Sequence, residues 1–210
     1  MKIEIWADVI CPWCGLGQHR LELALAAFAH RDEVELVHRS FQLDPRAPAT
    51  PQTVREMLRA KGMSDAQMTA TWARIEAMAA SEGLTPYLLD NVVANTRPVH
   101  ELLALASARG HEDAAWKRVY RAYFGERRSI FDVDALVALG GELGLDADEV
   151  RAALADGRYR AQVDGDAREA HELGATGVPF VLIERRLAIA GAQPLTTFAQ
   201  ALERGYALGR

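Results

Sequence analysis

The sequence predicts an α/β protein, on three observations: two strand patterns bracket a helical stretch near its start, helical periodicity fills its middle, and a strand hairpin followed by a helix closes it. Residues 2–10 carry Ile3, Ile5, Ala7 and Val9 at alternate positions, with Trp6 and Ile10 on the other face. That pattern predicts a largely buried strand running up to Cys11. Leu16, Leu21, Leu23, Leu25 and Phe28 then predict a helix from Cys14 to about His30. Pro12 suits its first turn, where a missing N–H costs nothing, so Cys11 falls at or just before the N-cap. Residues 34–41 read as a second strand, and a strand-helix-strand unit with so short a link implies a parallel crossover. Gly15 and Gly17 are poor helix formers. Their place near the cysteines implies either close approach of another backbone or a loosely wound first turn.

Pro45, Pro48 and Pro51 interrupt the pattern and mark a boundary. Beyond them Val54, Met57 and Leu58 begin a helix, and Ser64 with Gln67 forms a capping-box pattern ahead of Met68, Trp72, Ile75 and Ala79. Further helices are marked by Val99, Leu102, Leu103 and Ala106, by Trp116, Val119, Tyr120 and Tyr123, and by Leu136, Val137, Leu139 and Leu143. Asp146 with Glu149 caps another, and Val163, Ala167, Ala170 and Leu173 mark one that ends near Gly174. Strands are expected to return only at residues 180–183 and 187–190, an antiparallel hairpin around Glu184-Arg185-Arg186. Leu195, Phe198, Leu202 and Tyr206 supply the closing helix.

Half of the 210 residues are hydrophobic and a quarter are charged, enough for a sizeable core in one or two domains. A net charge of −5 gives no general attraction for nucleic acid or anionic membrane. No apolar run approaches the roughly 20 residues that span a bilayer. The first strand begins at Lys2, ahead of which a secretory leader of about 15–30 residues has no room, so a cytoplasmic location is expected. The chain's two cysteines both lie in Cys11-Pro12-Trp13-Cys14. In a reducing cytosol such a pair reads as catalytic or metal-binding before it reads as a structural staple. A first cysteine at a helix N-terminus also gains from the positive end of the helix dipole, which favours its thiolate. His19, His30, His38, His100, His111 and His171 could supply zinc nitrogens, but none stands at ligand-like spacing from the pair, so no metal is expected.

Asp8-Val9-Ile10-Cys11-Pro12-Trp13-Cys14, Asn95-Thr96 with His100, Ala122-Tyr123-Phe124, Thr176-Gly177-Val178-Pro179-Phe180 and Ala190-Gly191-Ala192-Gln193-Pro194 follow one another in a recognisable order. In that order the chain resembles the DsbA-like thioredoxin-fold oxidoreductases, and among them the cytoplasmic FrnE type. The resemblance implies a thioredoxin-like core from residues 1–44 and 158–210, with a large all-helical insertion over 45–157. It implies a cis Pro179 opposite the cysteines, an exposed attacking Cys11 and a less exposed resolving Cys14. Pro12, Trp13, Val178 and Pro179 would then meet the substrate, the Val178 backbone pairing with an extended peptide as an added strand.

The implied partners are protein or peptide thiols and disulfides, with glutathione as a candidate co-substrate and no bound cofactor. An exposed apolar helix of the insertion is a candidate homodimer contact. Two departures bear on redox direction. Trp13 stands where strongly oxidising relatives carry a histidine, and Ile5 stands where thioredoxins carry a buried carboxylate. Of the nearest acids, Glu4 and Asp8, the latter reads as a strand-end carboxylate before a general base. Met57, Met63, Met68, Trp72 and Met78 read as core before an adaptable peptide surface. Arg127, Arg128, Arg185 and Arg186 read as solvated before an anion site, and His100 as part of a helix-start polar cluster. Two other classes stay open: glutathione-dependent isomerases of 2-hydroxychromene-2-carboxylate with kappa-class glutathione transferases, which usually place serine where Cys11 stands, and a non-enzymatic holdase.

Overall fold

The protein is described by a computed structural model over residues 1–209, which forms two compact units: residues 1–43 with the described residues from 162 onward, and residues 44–161. The first unit is built on a four-stranded sheet of order β2-β1-β5-β6. Its strands are β1 (Lys2–Ala7), β2 (Glu35–Ser40), β5 (Phe180–Ile183) and β6 (Leu187–Ala190). β1 runs parallel to β2, to which it is joined through α1 (Pro12–Ala27), and antiparallel to β5, which pairs antiparallel with β6. Alternation along the strands sorts the core into two faces. Ile3, Ile5, Val181 and Ile183 pack with Leu21, Ala24 and Phe28 of α1 and its end, and with Phe198, Ala201 and Leu202 of α9 (Leu195–Leu208). Trp6, Phe180 and Leu182 occupy the opposite face with Phe41 and with Ala170 of α8 (Arg160–Glu172). The hairpin turn is of the type that suits strand twist: Glu184 and Arg185 take φ of 50° and 51°, and Arg186 N–H donates to the Ile183 carbonyl at 3.0 Å.

β1 ends at Ala7, short of the expected Cys11. Val9 and Ile10 form a turn closed by the Cys11 N–H on the Asp8 carbonyl at 3.2 Å; their apolar side chains extended the strand pattern without extending the strand. α1 likewise stops at Ala27 rather than near His30, because Phe28 is extended.

The second unit is predominantly helical, with α2 (Val54–Ala60), α3 (Asp65–Ser81), α4 (Arg97–Ala108), α5 (Glu112–Tyr120), α6 (Val133–Glu142) and α7 (Ala147–Asp156). The expected capping box at Ser64 and Gln67 is present, as is the Asp146 side chain on the Glu149 N–H. Met68, Trp72, Ile75 and Ala79 are the buried stripe of α3, which places Met68 and Trp72 in the core. A second capping box, Thr53 with Glu56, opens α2. Two short strands, β3 (Gln52–Thr53) and β4 (Val92–Val93), pair antiparallel in this unit, where the sequence suggested none. α5 does not carry on to Tyr123 as an α-helix; residues Arg121–Gly125 widen into a π turn that keeps Tyr123 and Phe124 buried. At the start of α4, Asn95 Oδ1 accepts the Arg97 N–H at 3.0 Å. His100 lies in the first turn, its N–H on the Thr96 carbonyl at 3.1 Å, and is fully buried with its ring 5.8 Å from that of Trp116. No helix among the described residues is long and apolar enough to cross a membrane.

Candidate active site

The geometry at the cysteines starts with the turn that ends β1. The Asp8 carbonyl takes the Cys11 N–H, and the Asp8 carboxylate, fully buried, accepts the Leu43 N–H at 2.7 Å. Cys11 is therefore held as the N-cap of α1, with Pro12 at the first helical position. Its carbonyl accepts the N–H groups of Cys14 at 3.0 Å and Gly15 at 3.3 Å, which winds the first turn and brings the two thiols together. Both cysteines are unbridged. Across from them the Val178–Pro179 peptide is cis, and the Cys11 thiol lies 3.8 Å from the Val178 carbonyl, to which it donates. Pro12, Trp13 and Val178 are half-buried, and Pro179 is buried.

Cys11 was expected to be exposed and is only 4% exposed, since its sulfur sits in the angle between the helix start and the Val178 backbone. Cys14 is fully buried. Burial pushes the Cys14 thiol well above the ordinary cysteine range. A hydrogen bond to Cys11 and the charges of Cys11 and Asp8 push the same way, against a backbone N–H from Asp8. The pair thus divides into a sulfur at the helix start facing Val178 and a second, fully buried sulfur whose ionisation is opposed. Among the described residues, no group of three or more His, Cys, Asp or Glu side chains could hold a metal ion.

Gly17 shows which reading of the early glycines applies there. A Cβ at that position would stand 2.9 Å from Pro179 Cγ and 3.4 Å from Ala192 Cα, so helix and loop approach too closely for any larger residue to fit without movement.

Sequence reasoning missed the charge network on the α8 face of the sheet. Glu4, buried in β1, accepts from Arg39 at 2.9 Å and from Arg185 at 2.9 and 3.0 Å, with Lys2 Nζ at 3.5 Å. Arg39 also reaches Asp166 of α8 at 3.4 Å, and Arg185 reaches Glu169 at 2.6 Å. Arg185 thus pairs with both Glu4 and Glu169 while its side chain stays 48% exposed, a charge that is paired and still solvated. Arg186 donates to the Leu208 carbonyl at 2.8 Å, and Arg128 pairs with Glu142 at 2.7 Å. The available signal was Glu4, a carboxylate between Ile3 and Ile5 in a strand otherwise read as largely buried.

The DSBA-like thioredoxin domain model matches residues 2–203. A probable DsbA oxidoreductase from Streptomyces coelicolor is 48% identical and superposes with a TM-score of 0.94, covering 99% of this chain and 90% of that one. The uncharacterized protein YwbO of Bacillus subtilis (strain 168) is 26% identical over 210 residues, 96% of each chain. A 2-hydroxychromene-2-carboxylate isomerase, 17% identical with a TM-score of 0.75 over 97% of this chain and 95% of that one, shares the fold. With the family model running from the first residue of β1 into α9, the chain belongs to the DSBA-like thioredoxin domain family.

Proposed function

We propose that the protein is a cytoplasmic thiol-disulfide oxidoreductase of the FrnE type, acting on protein or peptide disulfides through a mixed disulfide at Cys11. The observation that carries this reading is the pair of unbridged thiols of unequal burial at the start of α1, with the Val178 carbonyl 3.8 Å from the Cys11 sulfur. Kinship with the probable DsbA oxidoreductase at 48% identity supports it.

In the reducing direction the Cys11 thiolate attacks one sulfur of a substrate disulfide. That S–S bond breaks, a Cys11–substrate disulfide forms, and the other half leaves as a thiolate that takes a proton from water. The Cys14 thiol then gives up its proton, and its sulfur attacks Cys11. The second substrate thiolate is expelled, and Cys11 and Cys14 are left joined. Two electrons have passed from the dithiol to the substrate. Two glutathione molecules, or one partner dithiol, return them by the same exchange and leave as a disulfide. The oxidising direction is the reverse sequence.

The Val178 backbone beside Cys11 offers an extended substrate a strand edge, with Pro12 and Trp13 on the helix side. Wild-type protein should reduce insulin disulfides or oxidise a dithiol peptide, and Cys11→Ala should abolish both. Glutathione-dependent isomerase turnover surviving Cys14→Ala would replace this reading with the isomerase one. Client protection that is unchanged when both cysteines are replaced, with no exchange in the wild type, would replace it with a holdase.

A further inference from the structure

We infer that Arg20, acting with Gly17, is a positioning residue for peptide substrates: from within α1 it sets the Val178–Pro179 backbone through the Gly191–Gln193 loop. The inference rests on reading Cys11 and Cys14 as an exchanging dithiol. Arg20 lies on the helix that begins with the two thiols and is only 7% exposed. A guanidinium so placed needs acceptors in reach. Its Nη1 donates to the Ala192 carbonyl at 2.6 Å and to the Gln193 carbonyl at 3.3 Å, both on the loop after β6.

That loop is tied in turn to the cis-proline segment. Gly191 N–H donates to the Pro179 carbonyl at 2.8 Å, and Gln193 N–H closes the loop on the Gly191 carbonyl at 2.9 Å. One turn before Arg20, bare Gly17 lets Pro179 and Ala192 rest directly on the helix. The helix that fixes Cys11 thus also fixes, by two independent contacts, the backbone facing Cys11. Direct contact runs through Gly17 and Pro179, and a hydrogen-bonded path runs from Arg20 through Ala192 and Gly191 to Pro179.

An extended peptide that pairs with Val178 depends directly on where this backbone stands; a small aromatic disulfide, which has no backbone to pair, depends on it only through the contact of the Cys11 thiol with the Val178 carbonyl. Misplacing a bound group by about 1 Å can cost on the order of a hundredfold in rate. We expect Arg20→Met to lower kcat/KM for a cystine-bridged peptide by about tenfold or more. The rate with dithiodipyridine should fall by a clearly smaller factor, since that substrate makes no backbone pairing with Val178. Arg20→Lys, which keeps one charged donor, should recover part of the loss. Gly17→Ala, whose Cβ would press on both Pro179 and Ala192, should give the same selective loss by displacing the same loop, and Arg20→Lys decides the matter if Arg20→Met does not fold. Equal losses on both substrates in the folded variants, or no loss on the peptide, would overturn the inference. A wild-type protein inert toward both disulfides would instead overturn the dithiol reading itself.

Discussion

Replacing Glu4 with glutamine removes the one buried charge around which Arg39, Arg185 and Lys2 gather. The variant keeps the side chain's size and one acceptor oxygen, and it leaves Arg39 with Asp166 and Arg185 with Glu169. Breaking a fully buried pair costs about 3–5 kcal/mol, whereas an exposed pair is worth about 0–1 kcal/mol. Glu4 is 1% exposed at its side chain, but Arg39 is 24% and Arg185 48% exposed, so solvent screens the partners and the expected loss lies between, at about 2 kcal/mol. Urea unfolding at neutral pH measures it as a lower midpoint with unchanged slope.

The pH dependence has a definite sign. Burial pushes the Glu4 carboxyl up, but hydrogen bonds from Arg39 and Arg185 and the attraction of Arg185 and Lys2 outweigh it and hold it below its ordinary 4.5. Its contribution is therefore complete above that value and is lost as pH falls through the lower, folded one. Asp166 works in the opposite sense: burial holds it above its ordinary 3.8, so its ionisation subtracts stability as pH rises past that value. The difference between wild type and Glu4→Gln isolates Glu4 and should shrink in acid. A loss under about 0.5 kcal/mol, the scale of an ordinary surface substitution, or a difference that does not shrink in acid, would refute the reasoning.

Gly205→Ala in α9 would set a Cβ against the Ile183 side chain, with Met1 Sδ 3.4 Å away; overpacking of about 1–3 kcal/mol outweighs a helix gain of about 1 kcal/mol, so thermal melting should show a net loss, and a rise would contradict the packing. Iodoacetamide should label Cys11 first and leave Cys14 unlabelled in the folded protein at neutral pH, because Cys14 is fully buried and its thiol ionises well above the ordinary range. Cys14 labelling should then rise with pH without levelling off in that range, and its labelling ahead of Cys11 would contradict the assigned geometry.

Much of the scaffold follows from local pattern. Residues 180–183 and 187–190 form the expected hairpin because two short continuous apolar runs flank a polar turn, and Ser64 with Gln67 places the start of α3 because its cap is a contact between near neighbours. Local pattern misleads where apolar residues serve a turn: Val9 and Ile10 are apolar, yet the Asp8 carbonyl has already turned the chain. The Thr53 and Glu56 box was readable by the same rule that found Ser64. β3 and β4 were not, since two-residue strands carry no period. The site divides the same way. Cys11 and Cys14 announce themselves by spacing, whereas Arg20 and Glu4 look like ordinary helix and strand charges until the fold brings Ala192, Arg39 and Arg185 beside them.

The claim that Cys11 exchanges with substrate and Cys14 resolves it is tested most directly by mass mapping of Cys14→Ala after exposure to a cystine-bridged peptide. The variant should accumulate a reductant-sensitive adduct on Cys11, while the wild type releases the peptide and ends with Cys11 and Cys14 joined. A folded Cys14→Ala variant that forms no adduct under conditions where the wild type turns over the same peptide would contradict the account.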